Sequence, residues 1–345
     1  MIAPAKPKKM PPPVAEVIDF CSGMGGLALA AEMSGMRILA GVDTNSTAIR
    51  TFGKNFPQAK AINGSVRSET VLSQCEQLID SAVSPVVIVS GPPCQGFSAA
   101  GSRDPSDPRN QVLVAVARAI ARLQPRCALV ENVSMLLADK HDDRLLKFEE
   151  VLTEAGYHVA KVLLDASEFG VPQKRVRAFF LITRRKIKEK TVLERLALRK
   201  KPAVSAESVL QGLPPSMVRP DDYDDETEYG IVPNHLAMLH SKAVKKKIAA
   251  IEPGTGPMSY RRLHPTRPSN TLFSGHRAPP AHFSEPRSIT TREAARLQGF
   301  PDTFRVYGAF SNQMEQVTNA VPPPLASTVL QVLVELTRIT CRQDA

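Results

Sequence analysis

A chain of 345 residues exceeds one ordinary domain, and 43% hydrophobic residues are ample for a buried core, so two lobes are expected. The 44 Lys and Arg against 34 Asp and Glu leave +10, which favours a polyanionic partner without proving one. Cys21, Cys75, Cys94, Cys127 and Cys341 form no CxxC or paired spacing, which argues against a disulfide framework or a zinc knuckle and suits a reducing cytoplasm.

Residues 1–13 set Lys6, Lys8 and Lys9 among prolines and read as a flexible basic tail. No apolar h-region follows, and nowhere do about 18 apolar residues run together, so neither export nor membrane insertion is expected. Glu16 to Phe20 then reads as a buried strand, Cys21 to Gly26 as a glycine turn, and Leu27 to Met33 as a helix. The alternation continues through a strand at Arg37 to Val42, helices near Ser46 to Asn55 and Glu69 to Ser81, and an apolar strand at Val86 to Val89. This alternation predicts a parallel, doubly wound α/β sheet; a helix at Gln111 to Leu123 and a strand at Cys127 to Val130 continue it, and Val159 to Leu164 and Arg177 to Ile182 read as paired strands that close it.

Beyond Arg185 the texture changes to proline, glycine and charge, with an acidic run at Asp221 to Glu228 and a basic cluster at Lys242 to Lys247. This is read as a second, smaller, irregular lobe. The apolar helix Leu325 to Ile339 is expected to pack back on the first lobe. The expected division is 14–185 for the first lobe, 186–316 for the second with its hinge, and 317–340 for the returning helix.

Gly23, Gly25 and Ala28 satisfy G-x-G-x-x-[GA] after a strand, and Asp43 ends the next strand where an acid can accept ribose hydroxyls. NAD and S-adenosylmethionine are equally compatible with that pattern; a tight turn without a ligand is the plainer alternative. Gly91-Pro92-Pro93-Cys94-Gln95-Gly96-Phe97-Ser98 follows the strand Val86 to Val89, at the edge where such sheets bind ligands. A cysteine set in that loop, not inside the apolar run, points to a nucleophile over a structural thiol. Glu131 follows the next strand and should reach the same edge, although an acid there is more often a helix cap. Gln173-Lys174-Arg175-Val176-Arg177 alternates so that both arginines share one strand face, able to grip a phosphate or a base edge; an exposed charged face is the alternative.

Taken in order, these blocks resemble the cytosine-C5 DNA methyltransferase family: Asp19-Phe20 with Gly23 to Gly26, then Pro93-Cys94-Gln95, Glu131-Asn132-Val133 and Gln173 to Arg177. Arg292 to Pro301 resembles the family's penultimate motif, and Asn319-Ala320-Val321-Pro322 its last. The resemblance spans roughly Val17 to Ala326 and implies a Rossmann-like catalytic lobe, a smaller target-recognition lobe and a cleft for duplex DNA.

It further implies that Cys94 attacks C6 of a flipped cytosine, that Glu131 holds N3 and the exocyclic amine, and that Arg175 and Arg177 orient the base and its phosphate. The cofactor implied is S-adenosylmethionine, leaving S-adenosylhomocysteine, with no metal. Its expected contacts are Phe20, Gly23, Gly25, Gly26, Asp43, Ser65, Pro92, Asn319 and Val321. Two departures from the family stand out: Gly64-Ser65-Val66 lacks the usual acid at the third strand's end, and Thr318 replaces a glycine before Asn319. Expected DNA contacts are Gln95, Ser98, Arg261, Arg262, Arg267 and Arg277, each of which read singly is as readily a solvated surface group.

The resemblance implies a monomeric, cytoplasmic enzyme, nucleoid-associated if bacterial, acting on double-stranded DNA without a membrane. A cognate restriction endonuclease is a candidate partner. A tRNA-methylating relative shares the same blocks and would ignore unmethylated duplex DNA, and a non-catalytic relative would bind DNA without turnover. A zinc deaminase is excluded because its P-C-x-x-C would need a cysteine where Phe97 stands.

Overall fold

The computed structural model describes residues 13–93, 111–138, 143–257, 260–273 and 279–339. Its first half alternates β1 (Glu16–Phe20), α1 (Gly26–Glu32), β2 (Arg37–Asp43), α2 (Ser46–Asn55), β3 (Lys60–Asn63), α3 (Glu69–Asp80), β4 (Val86–Ser90), α4 (Val112–Leu123) and β5 (Cys127–Val133). Helix α5 (Asp143–Glu154) and the hairpin-like pair β6 (His158–Asp165) and β7 (Val176–Thr183) follow. The strands form one sheet in the order β3-β2-β1-β4-β5-β7-β6.

The pairs from β3 to β5 are parallel, whereas β7 enters antiparallel between β5 and β6. The paired strands expected to close the sheet are β6 and β7, and the one reversed strand lies at this edge. The short connection from β6 to β7 cannot make the long crossover a parallel partner needs, so the chain turns back on itself. β1 and β4 are buried along their whole length, as strands covered by helices on both faces must be.

One apolar core lies on the face covered by α1, α2 and the C-terminal helix and includes Ala28, Ala31, Phe52 and Leu330. The other lies under α3, α4 and α5 and includes Phe20, Cys75, Ile120 and Phe148. Beyond β7 come α6 (Glu189–Ala197), α7 (Ala206–Leu210), the two-residue strands β8 (Met217–Val218) and β9 (Leu236–Ala237), and α8 (Lys242–Ala249). The chain ends with α9 (Thr291–Leu297), α10 (Phe310–Asn319) and α11 (Pro323–Thr337).

Val192 and Leu196 of α6 sit in the first core, and α6 packs on β6 and α11, so this opening stretch of the irregular region is part of the sheet's own covering layer. Helix α11 packs along α1, where the Ser34 and Ser327 hydroxyls lie 2.9 Å apart. By length and composition the stretch Phe310–Thr337 could cross a membrane, yet it is two helices of this fold and 72% of its apolar window is buried.

The region after β7 is held by buried polar groups. Arg292 is fully buried and donates to the carbonyls of Pro233, Pro301 and Phe304. Thr290 and Glu293 close a capping box on α9, and Glu293 also takes two hydrogen bonds from Arg287. The acidic run reaches back to the first lobe: Arg50 of α2 binds both carboxylate oxygens of Asp225 at 2.8 and 3.2 Å.

Candidate active site

A cavity of about 960 Å³ opens at the carboxyl ends of β1, β2, β4 and β5. Its walls come from the glycine turn, the ends of β2 and β3, the segment Gly91 to Pro93, the end of β5, the start of β7, Thr271 to Phe273, and the loop Thr318 to Val321. A volume near 1,000 Å³ exceeds what one small ligand needs, and suits a nucleoside and a base side by side.

Asp43 stands at the end of β2. Its Oδ2 accepts the Gly23 amide at 2.8 Å and its Oδ1 the Asn45 amide at 2.8 Å, so each oxygen keeps a lone pair for a hydroxyl from the cavity. Burial raises its pKa while those amides oppose the rise. Gly26 opens α1 where a Cβ would lie 2.5 Å from the Val321 carbonyl, so the last loop of the site is seated directly on the glycine turn. Gly23, Gly26, Asp43, Ser65, Pro92, Asn319 and Val321 all line the cavity, and the Ser65 hydroxyl accepts the Arg67 amide at 3.2 Å. Such donors and acceptors, with glycines where backbone must approach closely, fit an adenosine cofactor.

Two expected cofactor residues are placed elsewhere. Phe20 is fully buried with Ile18, Ala40 and Val42 in the core beneath α3 to α5, because strand alternation turns it away from the ligand edge. Gly25 does not line the cavity either: with φ +102°, its missing Cβ leaves room for Phe56, 2.4 Å from where that atom would stand. Among the cavity residues that sequence reasoning gave no role is Cys21, left-handed at φ 52° and directly after the strand. Counting to the first residue beyond β1 would have found it. Burial, with Asp43 nearby, pushes its thiol well up.

At the opposite end Glu131, on β5, pairs through Oε1 with Arg177 Nε at 3.0 Å. Burial raises the Glu131 carboxyl above its usual range, with Arg177 and Arg175 opposing the shift. The segment entering Cys94 runs beside it: a Cβ on Gly91 would lie 3.7 Å from Glu131 Oε2, and the Pro92 carbonyl accepts the Asn132 amide at 3.2 Å. Cys94, Gln95, Ser98 and Arg277 lie outside the described residues.

Arg175 and Arg177 both line the cavity, but their guanidinium groups are used differently. Arg175 is 3% exposed and donates to the carbonyls of Leu272, Thr318 and Ala320. It holds protein loops, which replaces the expectation that it grips the nucleic acid. Arg262 is likewise consumed, donating to the carbonyls of Ala249, Ile251, His282 and Ser284. Its expected role as a DNA contact is replaced by bracing the segments around Ala249 and His282. Arg261 and Arg267 are exposed and outside the cavity wall. Among the described residues no group of His, Cys, Asp and Glu could hold a metal ion.

The sheet order, with its antiparallel seventh strand and an acid at the end of β2 facing a glycine turn, defines a Rossmann-like methyltransferase fold. The model of the C-5 cytosine-specific DNA methylase family matches residues 15–335, and the chain belongs to that family. The protein is a DNA cytosine methyltransferase. Among its relatives, the type II methyltransferase M.HgiDI of Herpetosiphon aurantiacus is 30% identical over 320 residues, spanning 90% of this chain and 91% of that protein. M.DdeI of Desulfomicrobium norvegicum is 28% identical, spanning 91% and 87%.

A crystal structure described as a DNA modification methyltransferase encoded within an E. coli prophage superposes with a TM-score of 0.77 at 28% identity, covering 94% of this chain and 99% of that one. The S. pombe Dnmt2 methyltransferase, 16% identical with a TM-score of 0.65 over 93% and 98%, shares the fold.

Proposed function

We propose that the cavity holds S-adenosylmethionine at its glycine-turn end and a cytosine turned out of duplex DNA at its Glu131 end, and that Cys94 is the nucleophile. The observation that carries this reading is the buried Glu131–Arg177 pair in the same cavity as Asp43, with the strand-loop that leads to Cys94 passing beside it. Asp43 would bind the ribose, Asn319 the amino-acid end, and Gly23 and Gly26 would let the backbone close on the ligand. When bound, the cofactor supplies an electrophilic methyl group to C5.

Cytosine C5 is a poor nucleophile until C6 is attacked. The Cys94 thiolate forms an S–C6 bond while Glu131, whose carboxyl burial raises above its usual range, donates a proton to N3; the displaced electron pair moves to C5. Once C5 carries the methyl group, its hydrogen leaves as a proton to water, the S–C6 bond breaks, and Glu131 recovers the N3 proton. Arg177 stays a cation beside Glu131 and orients the ring's carbonyl with a fixed fork of donors. Turning the base out of the stack costs about a few kcal/mol, which contacts from the 186–316 lobe would offset.

The type II character of the relatives supports a cognate restriction endonuclease as partner. Free thiols at Cys21, Cys75 and Cys127 suit a reducing cytoplasm. Duplex DNA carrying 5-fluorocytosine, from which the C5 substituent cannot leave as a proton, should trap a covalent protein–DNA adduct only with S-adenosylmethionine present, and Cys94→Ala should abolish it. An adduct that persists in the variant would overturn the assignment. Methylation of RNA with none of DNA would overturn the substrate.

A further inference from the structure

Two walls of the cavity are joined by a closed ring of hydrogen bonds whose two glutamines lie behind the cavity wall. Thr271 and Leu272 form part of one wall; Thr318, Asn319 and Ala320 form part of another. The Leu272 amide donates to Gln173 Oε1 at 3.2 Å, and Gln173 Nε2 donates to Gln298 Oε1 at 2.5 Å. Gln298 Nε2 donates in turn to the Ala320 carbonyl. Arg175 closes the circuit, donating to Ala320 and Thr318 on one side and to the Leu272 carbonyl on the other.

Gln173 and Gln298 are both fully buried, and neither lines the cavity. The amide orientations are fixed by the ring: turning Gln298 over would set its oxygen against the Ala320 carbonyl and its NH2 against that of Gln173. The Leu272 wall is also pinned from outside, since Thr271 Oγ1 donates to the Lys174 carbonyl at 2.7 Å and the Lys174 amide to the Ser269 carbonyl at 2.8 Å. A buried network in which both glutamine amides are paired at oxygen and nitrogen penalises other arrangements, so both walls are held in a single mutual register.

We propose that Gln173 and Gln298 are positioning residues that set the Asn319 wall relative to the Leu272 wall, so that cofactor affinity depends on a residue anchored on the Leu272 wall. This rests on the reading of the Asn319 wall as part of the cofactor site. Gln173 provides the sharp case, because its polar contacts are Leu272, the Leu297 carbonyl and Gln298, none of them at the cofactor end.

The test is calorimetric titration of the full-length protein with S-adenosylhomocysteine, without DNA. Gln298→Met and Gln173→Met should each weaken binding by roughly three- to tenfold, the scale of one buried hydrogen bond. The double variant should be no weaker than about either single one, since both interrupt the same circuit. If Gln298→Met does not fold, Gln298→Asn, too short to span Gln173 and Ala320, replaces it. Unaltered affinity in Gln173→Met, or losses that multiply, would overturn the coupling alone; a wild-type protein that fails to bind would overturn the cofactor reading and the coupling with it.

Discussion

Glu131 Oε1 and Arg177 Nε meet at 3.0 Å across the antiparallel junction of β5 and β7, where Glu131 faces Phe179 and Arg177 lies two residues along. That diagonal offset puts both side chains on one face of the sheet. The antiparallel entry of β7 thus delivers a cation from the opposite chain direction to the carboxylate at the end of β5. Both side chains are largely buried, at 9% and 14% exposure, so the pair is worth little as net stabilisation but is costly to break.

The cost should be asymmetric. Arg177→Ala leaves a carboxyl that burial already pushes towards its neutral form, and protonation relieves it. Glu131→Ala leaves a guanidinium that cannot shed its proton, and should destabilise the fold by up to about 3–5 kcal/mol. Urea unfolding of the two variants should rank Glu131→Ala as the less stable. The reverse order would mean that Glu131 is held ionised.

The same shift fixes a pH signature. Glu131 has its folded pKa raised, so its stabilising share is fully present below its unfolded pKa of about 4.3 and is lost as pH rises through the folded value. Turnover should fall over that same rise, because an ionised Glu131 has no proton for N3. Glu131→Gln should flatten the alkaline limb of kcat while lowering kcat about 10²–10⁴-fold. An alkaline limb unchanged in the variant would assign it to another group.

How much of this was legible beforehand follows from what each residue needed. β1 and β4 announce themselves as unbroken apolar runs, and the loop around Cys94 and the Glu131 block stand at strand ends. β3 was placed only through the resemblance, before Gly64, because only Ile62 of its four residues is buried, and α5 was passed over because its apolar residues are spread among charges. The direction of β7 has no local signature, since it depends on the length of a connection. Arg175 reads in sequence like Arg177, but one is spent on carbonyls and the other on a carboxylate, a difference made only by loops about 100 and 145 residues further on. Phe20 and Cys21 exchanged roles because a one-residue step at a strand end moves a side chain from the core to the ligand edge.

Gly25 tests the packing of the glycine turn independently of any ligand. Its φ of +102° suits glycine alone, and an added Cβ would stand 2.4 Å from Phe56 and 3.1 Å from Phe52. Gly25→Ala should therefore cost about 1–3 kcal/mol from overpacking, with backbone strain in addition. A melting temperature within a degree of wild type would show that α1 can shift without penalty.

The acidic strap should loosen in acid. Although partial burial works the other way, Arg50 and the Gly308 amide hold Asp225 below its usual range, so its contribution is present above the unfolded pKa of about 3.9 and is lost as pH falls through the folded value. Arg50 is 39% exposed, which limits the ion pair to under about 1 kcal/mol. Asp225→Asn should lower the melting temperature slightly at pH 7 and low salt, and the gap to wild type should narrow below the unfolded pKa and close once the pH is under the folded value. A gap that persists there would place the effect in packing.

Ser65 is one of two departures from the family, and a single substitution reverses it. It lines the cavity beside Gly64 and Val66, past the end of β3, and its hydroxyl is engaged with the Arg67 amide. A hydroxyl so used is a weak acceptor for the exocyclic amine of adenine, whereas a carboxylate could take both the Arg67 amide and that amine. Ser65→Asp should therefore tighten S-adenosylmethionine binding by about three- to tenfold, as read by calorimetry, with kcat unchanged at saturating cofactor. Weaker binding would mean that the adenine ring reaches a different part of the wall, with the Cys21 side of the cavity the first place to look.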